Sequence, residues 1–215
     1  VTDAYLAIDK EGKFLGVKVE TTASVGAYLS QYGIFIPTLA AAGMHVGVYN
    51  IPVMVNNVKV VYTNTVPIDA YRGAGRPEAS YVIERLVDQA ARDMSLGQIE
   101  IRKLNYVQPS DLGNTEDPVI PFDSCDFDKT TNMTLLNSSF EDFEKRQKKS
   151  LDKNKLRGIG VSYYVERTQG EGSEDSRIIV SSDGKVNVYT GTMATGQGHE
   201  TCLLYTSDAA DESSS

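Results

Sequence analysis

The chain has 215 residues, of which 40% are hydrophobic and 23% charged, a balance typical of a globular protein with a real core. Its formal net charge of −8 argues against a general nucleic-acid-binding protein, although a local positive pocket stays compatible with it. Two cysteines, Cys125 and Cys202, provide no disulfide framework, and no apolar run is long enough for a membrane span. We therefore expect a cytoplasmic protein that neither crosses a membrane nor binds nucleic acid.

The first part of the chain predicts a β-hairpin. Tyr5–Ile8 and Phe14–Val19 are rich in β-forming residues and flank the turn Asp9–Gly12. We expect Thr21–Tyr28 to continue the second strand, with a bend at Gly26.

Two apolar stretches follow the hairpin. Residues 33–43 contain Pro37 and a triple alanine, which predicts a buried loop or a short helix. Residues 46–65 are rich in β-forming side chains, but Pro52 and the pair Asn56-Asn57 interrupt them. We therefore expect two strands in this stretch.

The clearest helix is predicted over Pro77–Met94. Pro77 stands in its first turn, where a missing N–H costs nothing, and the helix dipole favours Glu78 at the same end. Apolar side chains recur at a spacing of 3.6 residues and should face the core: Ala79, Val82, Ile83, Leu86, Val87, Ala90 and Met94. Charged side chains between them should face away: Glu84, Arg85, Asp88, Arg92 and Asp93.

Further helices are expected after this one. Ser95 should cap a short helix over Gln98–Leu104, whereas three prolines mark Val107–Pro121 as a loop. Ser139–Lys149 predicts an exposed helix, because only two of its residues are large and apolar.

In the last part of the chain the hydrophobic pattern again has a period of two residues, which is typical of strands. We predict strands over Gly158–Arg167, Arg177–Ser181 and Lys185–Tyr189. Asp183-Gly184 between the last two predicts a tight hairpin. Strands followed by helices and then by strands again indicate an α+β fold.

We divide the chain into residues 1–150, with strands and then helices, residues 151–201, with the second hairpin, and residues 202–215. A change of subdomain is expected near residues 145–156. The run 202–215 resembles the translation of a sequencing adaptor and is interpreted as non-native sequence; an ordinary disordered tail is the alternative. Both ends look cut, and residue 1 is not Met, so we expect a piece of a longer protein.

A first candidate site lies at the start of the long helix. Arg72 and Arg76 flank the turn Gly73-Ala74-Gly75. A glycine turn lets a ligand approach the backbone, a helix start presents unpaired N–H groups, and guanidinium groups suit oxyanions. The alternative is that both arginines are surface charges, with Arg76 in a weak ion pair with Glu78.

A second candidate site is the glycine-rich loop 191–201. Gly196-Gln197-Gly198 combines a flexible backbone with an amide that can donate and accept hydrogen bonds. Hydroxyls from Thr192, Thr195 and Thr201 and the ring of His199 add further polar groups. This composition suits a phosphate or the edge of a pterin, and the alternative is a solvated turn with a lone histidine.

Three further residues have chemistry to offer. Glu166 shares a predicted strand with Tyr164 and Arg167, and it is either a base or a partner of an arginine or the backbone. His45 has no recognisable partner and is interpreted as structural. Cys125 has no base or metal ligand nearby in sequence, so we expect it to be unreactive.

Together, the two loops and the helix between them resemble the molybdenum-binding large subunit of the molybdenum hydroxylases, the xanthine dehydrogenase and aldehyde oxidase family. The resemblance is strongest to the carbon monoxide dehydrogenase-like branch and covers nearly all of residues 1–201. The matching stretches are Gly26-Ala27-Tyr28, Tyr49-Asn50-Ile51-Pro52, Thr63-Asn64-Thr65 with Pro67, Ala70–Ala79, Glu84-Arg85, Ile101-Arg102 with Asn105, Gly158–Glu166 and Gly196–Thr201. The resemblance implies a fragment of the family's α+β molybdenum-cofactor-binding domain.

The resemblance also implies roles for single residues. Arg72 matches a catalytic arginine beside the molybdenum that positions the substrate. Glu166, taken as catalytic, and Tyr163 match a strand near the substrate pocket. The implied cofactor-binding residues are Gly73, Ala74, Gly75, Gly196, Gln197 and Gly198, and no residue of this chain is implied as a metal ligand.

The implied activity is hydroxylation of an aldehyde or heteroaromatic C–H carbon with oxygen from water. The implied cofactor is molybdenum–molybdopterin in its cytosine dinucleotide form. Iron–sulfur clusters on a small subunit and FAD on a medium subunit would take up the electrons, in a dimer of heterotrimers. The alternative is a non-catalytic module of the same fold that binds an anion or a cofactor or serves assembly.

Two departures from the family pattern narrow this expectation. Gly73 stands where carbon monoxide dehydrogenases have a copper-holding cysteine, and Ala74 stands where xanthine dehydrogenases have a phenylalanine that packs on the substrate. Neither oxidation of CO nor oxidation of purines is therefore expected. The family's catalytic glutamate lies downstream of this sequence, so we expect the isolated chain to be inactive and to bind cofactor poorly.

Overall fold

The structure is a computed structural model that describes residues 1–112, 122, 124–166, 173–192, 194 and 196–204. It divides into two compact units, Val1–Arg167 and Thr168–Ser215. A three-stranded sheet belongs to the first unit and a two-stranded sheet to the second. Separate stretches of strands and helices confirm the predicted α+β class. The proposed three-part division, including the non-native tail, stays a prediction.

The sheet of the first unit is built on the predicted hairpin. β1, Thr2–Ile8, pairs antiparallel with β2, Phe14–Ser24, which confirms the prediction. β3, Met54–Val61, runs parallel to β2 on its other side. Gly26 bends the chain after β2: its φ is +82°, and a Cβ there would lie 2.4 Å from the carbonyl oxygen of Val66.

The prediction of two strands in residues 46–65 is wrong. Asn56 and Asn57 lie inside β3, where they pair with Val19 and Glu20 of β2. Asn57 lies on the exposed face of β3, which tolerates a polar residue, whereas Asn56 lies on the half-buried face, where its Oδ1 has no hydrogen-bond partner within the described residues. Residues 46–51 instead form buried turns, and residues 33–43 contain a single turn of π-helix, Ile36–Ala40.

Four helices are described in full. α1 spans Arg76–Asp93, α2 Gln98–Asn105, α3 Phe127–Asn137 and α4 Phe143–Leu151. Short 3₁₀ turns cover Pro109–Asp111 and Phe140–Asp142. α1, α2 and most of α4 confirm predicted helices, whereas α3 has no predicted counterpart.

Two helix starts differ from the prediction. Gly97, and not Ser95, precedes α2, and its N–H donates to the carboxylate of Glu100 at 3.1 Å. α3 begins with Asp126, whose side chain accepts from the N–H of Lys129 at 2.9 Å. Such a cap was the sequence evidence that could have located α3.

The core of the first unit lies between β2 and the predicted apolar stripe of α1. Val17 and Val19 from the sheet meet Ile83 and Val87 from α1 and Ile101 from α2 in one buried cluster. This packing confirms the stripe. The hydrophobic effect thereby fixes α1, and with it the turn that precedes the helix.

A buried arginine links the elements of this core. Arg102 of α2 is fully buried, and its guanidinium donates to Glu84 at 2.8 and 3.1 Å and to Asp88 at 2.8 Å. Tyr49 donates its hydroxyl to the other oxygen of Glu84 at 2.5 Å. The expectation that Glu84 faces away from the core is therefore wrong. Helical periodicity places its carboxylate on the solvent side, but the carboxylate is buried because it pairs with Arg102 of α2.

Arg102 also fixes the segment 158–166. Its Nη2 donates to the carbonyl oxygen of Val161 at 3.0 Å. The hydroxyl of Tyr163 hydrogen-bonds that of Thr131, and Val165 packs on the cluster of Ala41, Met44 and Ala79. Residues 158–166 form no strand, so the strand predicted over Gly158–Arg167 is wrong for its described part.

The second unit contains the second predicted hairpin. β4, Ser176–Val180, pairs antiparallel with β5, Val186–Thr190. Gly184 adopts a φ of +84° and donates its N–H to the carbonyl oxygen of Ser181 at 2.9 Å. The tight turn at Asp183-Gly184 is confirmed. A helical segment covers residues 199–204.

His45 is a buried group of the first unit that remains uncharged near neutral pH. It is only 5% exposed, and burial lowers its pKa from 6.5 to about 4. Within the described residues its Nδ1 has no hydrogen-bond partner. These features fit the structural interpretation of His45.

Replacing Arg102 by Met should destabilise the protein by about 3–5 kcal/mol, because Glu84 and Asp88 would keep carboxylates without their buried partner. Urea unfolding measures the loss. Arg85→Met is the matched control, because Arg85 lies on the exposed face of α1, and it should change stability by less than about 0.5 kcal/mol. Equal effects of the two substitutions would contradict the role of Arg102.

The buried His45 should make the protein acid-labile between pH 6.5 and about 4. In that range the unfolded chain takes up a proton at His45 that the folded chain refuses, so stability falls as the pH falls, by up to about 1.4 kcal/mol per pH unit. Unfolding measured from pH 7 to pH 4 should lose this slope in His45→Gln and keep it in His199→Gln. A slope that survives in His45→Gln would refute the assignment.

Candidate functional site

The Gly-Ala-Gly turn before α1 has an unusual backbone. Gly73, Ala74 and Gly75 all adopt positive φ, at +86°, +39° and +92°. Ala74 donates its N–H to the carbonyl oxygen of Tyr71 at 2.8 Å, and Arg76 donates to that of Gly73 at 3.0 Å. Three consecutive left-handed residues are costly for side chains other than glycine, so this conformation must be held by its surroundings.

Close neighbours require glycine at both ends of the turn. A Cβ on Gly75 would lie 2.1 Å from the carbonyl oxygen of Ile36, and one on Gly73 would lie 2.6 Å from the ring of Pro77. The turn is thus wedged between the π-helical turn and the first turn of α1. A cysteine at position 73 would not fit this backbone without a shift of Pro77, which agrees with the departure noted from the sequence.

The two arginines of the turn lie in different environments. Arg76 is largely buried and forms an ion pair with Glu166, with 3.2 Å between Nε and Oε1. Its Nη1 also donates to the carbonyl oxygen of Gly73 at 3.3 Å. Arg72 is exposed at the other side of the turn. Arg76 therefore stabilises the turn from within, whereas Arg72 is an exposed residue.

Glu166 joins Arg76 to a tyrosine. The hydroxyl of Tyr164 donates to Oε2 of Glu166, while Arg76 contacts Oε1. Partial burial raises the pKa of Tyr164 to about 12, and the hydrogen bond to Glu166 and its negative charge act in the same direction. The structure thus shows the ion-pair interpretation of Glu166; a catalytic role for this residue stays a prediction.

The glycine loop of the second unit leaves its backbone accessible. Gly196 and Gly198 have positive φ, at +100° and +78°, and a Cβ on Gly198 would meet nothing within 4 Å. Gln197 between them is exposed. An open backbone with amide donors fits the phosphate or pterin edge of the cofactor that the resemblance implies. Thr195 lies outside the described residues.

Other candidate residues have structural surroundings. Burial and the carboxylates of Asp111 and Asp126 raise the pKa of the Cys125 thiol, which agrees with an unreactive cysteine. In the part of the chain that the structure describes, no cluster of three or more His, Cys, Asp or Glu side chains could hold a metal.

Arg72 and Gln197 belong to different compact units, so a shared cleft between their loops stays a prediction.

The sequence analysis gave no role to the contact between Tyr164 and the turn. Tyr164 Oη would lie 3.4 Å from a Cβ on Gly73. The i, i+2 spacing of Tyr164 and Glu166 places both side chains on one side of an extended segment, so it indicates their mutual contact but not the contact with the turn. Ninety residues separate this segment from the turn, and no local pattern can predict a contact over that distance.

Two family models, both described as a molybdopterin cofactor-binding domain, match residues 1–106 and 134–208. The first match lies in the first compact unit, and the second covers parts of both units. Gly73, Ala74 and Gly75 fall within the first match, and Gly196, Gln197 and Gly198 fall within the second.

Named relatives agree with these matches. The chain is 32% identical, over 92% of its length, to the gamma subunit of the 6-hydroxypseudooxynicotine dehydrogenase complex of Paenarthrobacter nicotinovorans, and covers 25% of that protein. It is also 32% identical to the carbon monoxide dehydrogenase large chain of Hydrogenophaga pseudoflava, over 93% of this chain and 27% of the relative. The chain therefore spans about a quarter of these relatives.

A solved structure shows the same fold. The crystal structure of quinoline 2-oxidoreductase from Pseudomonas putida 86 superposes with a TM-score of 0.76 at 29% identity. The superposition covers 94% of this chain and 27% of the other.

Gly75→Ala should destabilise the turn by about 2 kcal/mol or more, because alanine would adopt a positive φ and its Cβ would overlap the carbonyl of Ile36. Thermal unfolding measures the effect. Ala74→Gly is the control within the same turn: its φ is already positive, so glycine should change stability by less than about 1 kcal/mol. Full stability of Gly75→Ala would show that the turn is not wedged as described.

Proposed function

This chain belongs to the molybdenum hydroxylase family, as part of the molybdopterin-binding large subunit, and from that premise we propose that the complete protein hydroxylates a heteroaromatic ring or an aldehyde. In this reaction the C–H bond of an electron-poor carbon breaks and a C–O bond to an oxygen from water forms. Two electrons leave the substrate, and two protons are released, one from the C–H bond and one from the water. The observation that carries the proposal is the rigid Gly-Ala-Gly turn, with Arg72 exposed beside it, inside a molybdopterin-binding domain.

We assign the residues of this chain to two tasks. Gly196, Gln197 and Gly198 would hold the molybdopterin through backbone and amide groups, and the turn 73–75 would form the floor of the active site. Arg72 would orient the substrate through its guanidinium. When bound, the molybdenum cofactor supplies the oxidising centre.

The substrate is proposed to be a heteroaromatic compound or an aldehyde, and not CO or a purine. The names of two relatives, a 6-hydroxypseudooxynicotine dehydrogenase and a quinoline oxidoreductase, support a heteroaromatic ring. Gly73 has no thiol that could hold copper, and a side chain there would require a shift of Pro77, which argues against CO oxidation. Ala74 offers no ring on which a purine could pack.

The complete enzyme is proposed to be a complex in the cytoplasm. A small iron–sulfur subunit and a medium FAD subunit would carry electrons away from the molybdenum, in a dimer of heterotrimers with molybdopterin cytosine dinucleotide. Support comes from relatives named as a gamma subunit and as a large chain. Among the described residues, no helix combines the length and hydrophobicity that crossing a membrane requires. The isolated chain should be inactive, because the family's catalytic glutamate lies outside it.

Metal analysis of the purified complete protein tests this proposal. Stoichiometric molybdenum, together with iron and flavin and turnover of an N-heterocycle or aldehyde, is the expected result. Molybdenum without turnover of any such compound would favour the alternative, a non-catalytic binding or assembly module. Absence of molybdenum from the folded complete protein would refute the proposed enzyme and would favour a module that binds an anion or serves assembly.

Gly198→Val should lower the molybdenum content at least tenfold, because its side chain would fill the open space beside the loop and valine rarely adopts the φ of +78°. Molybdenum per protein after purification is the measurement. Gly158→Val is the matched control, because Gly158 also has nothing within 4 Å of its Cβ position but has no positive φ. Full molybdenum content in Gly198→Val would contradict the assignment of this loop.

A further inference from the structure

Tyr164 occupies the space beside the turn that a side chain on residue 73 would enter. Its hydroxyl oxygen lies 3.4 Å from the position of a Cβ on Gly73. The side chain is about half exposed, so one part of it contacts the turn and another part faces solvent. Tyr164, from a segment distant in sequence, thus lies beside Gly73, which has no side chain of its own.

A closed series of contacts holds Tyr164 at this position. Its hydroxyl donates to Glu166, Glu166 pairs with Arg76, and Arg76 donates to the carbonyl oxygen of Gly73. The series begins and ends at the same turn. Arg102 stabilises this series further, because its guanidinium donates to the carbonyl oxygen of Val161, which lies in the same segment as Tyr164 and Glu166. The phenol is therefore oriented before any ligand arrives.

The hydrogen bond to Glu166 determines which interactions the phenol of Tyr164 can form with a ligand. A tyrosine hydroxyl has one proton, and that of Tyr164 is donated to Glu166. The oxygen therefore has only lone pairs left for a ligand, and it can accept hydrogen bonds without donating any. The pKa of about 12 keeps the phenol neutral at physiological pH. The ring itself adds a flat apolar surface on which another ring can pack.

We propose that Tyr164 is a specificity-determining residue that selects planar ring substrates bearing an N–H or O–H donor, with Glu166 and Arg76 as its positioning residues. The proposal rests on the proposed function, because only that function makes the turn 73–75 the floor of a substrate site. Tyr164 supplies the side chain that Gly73 and Ala74 lack. In this proposal Glu166 positions the phenol of Tyr164 and does not transfer a proton.

The test uses the complete, cofactor-loaded protein and pairs of compounds that differ by one donor. Benzaldehyde is compared with the three hydroxybenzaldehydes, and quinoline with 4-quinolone, whose ring carries an N–H. In the wild type, kcat/KM should be higher for the donor-bearing compound than for the donor-free compound of each pair. Tyr164→Phe should lower the ratio of these two kcat/KM values about three- to tenfold, the effect of one neutral hydrogen bond. Tyr81→Phe, an exposed tyrosine on α1, is the matched control and should keep the ratio.

Glu166→Gln tests the positioning residues. An amide cannot form the ion pair with Arg76, so the phenol should lose its fixed orientation and the donor preference should fall, with molybdenum content unchanged. A merely structural role would reduce kcat/KM equally for both members of each pair. The ratio therefore separates the two roles.

Three results would overturn the proposal. One is an unchanged ratio in Tyr164→Phe with full molybdenum content, which leaves the proposed function intact. Another is an equal loss for donor-bearing and donor-free compounds in both variants. The third is a molybdenum-loaded wild type that oxidises no member of the panel, which refutes the proposed function and this inference together.

Discussion

The first unit depends on one buried charge. Arg102 binds Glu84 and Asp88 of α1, a backbone carbonyl of its own helix and the carbonyl of Val161. A guanidinium without water must be fully paired, so each partner is fixed in direction as well as in distance. The two carboxylates orient α1 relative to α2. The contact with Val161 helps to fix a segment that has no regular secondary structure, together with the hydrogen bond of Tyr163 and the packing of Val165.

The consequence appears at the Gly-Ala-Gly turn. α1 carries the turn at its start, and the segment fixed by Arg102 carries Tyr164 and Glu166, so one buried network determines both sides of their contact. The turn has no side chains able to recognise a ligand at Gly73 and Gly75. In the proposed site, the recognition groups would be the guanidinium of Arg72 beside the turn and the phenol of Tyr164 from a distant segment. A rigid backbone with its recognition groups on other residues would let one fold serve different substrates.

Local patterns in the sequence predicted a good part of this structure. Both hairpins and α1 followed from alternation, turn residues and helical periodicity. The family followed from the resemblance of the two glycine-rich motifs and the stretches around them, which the family models confirm. Errors arose where a residue's environment is set by distant partners. Glu84 was assigned to solvent because periodicity counts apolar residues and cannot see Arg102, eighteen positions further on. The segment 158–166 has a strand-like pattern, yet it lies on side chains and not beside another strand. The contact of Tyr164 with Gly73 was beyond sequence patterns for the same reason.

The central proposal is that the turn 73–75 and the loop 196–198 each contact the molybdopterin cofactor. An experimental structure of the complete protein with its cofactor and a bound ring inhibitor tests it most directly. The account predicts backbone or amide contacts from Gly196, Gln197 and Gly198 to the molybdopterin, with Arg72 and Tyr164 on the ring of the inhibitor. A cofactor that contacts only one of the two loops, or an inhibitor remote from Gly73, would contradict the account.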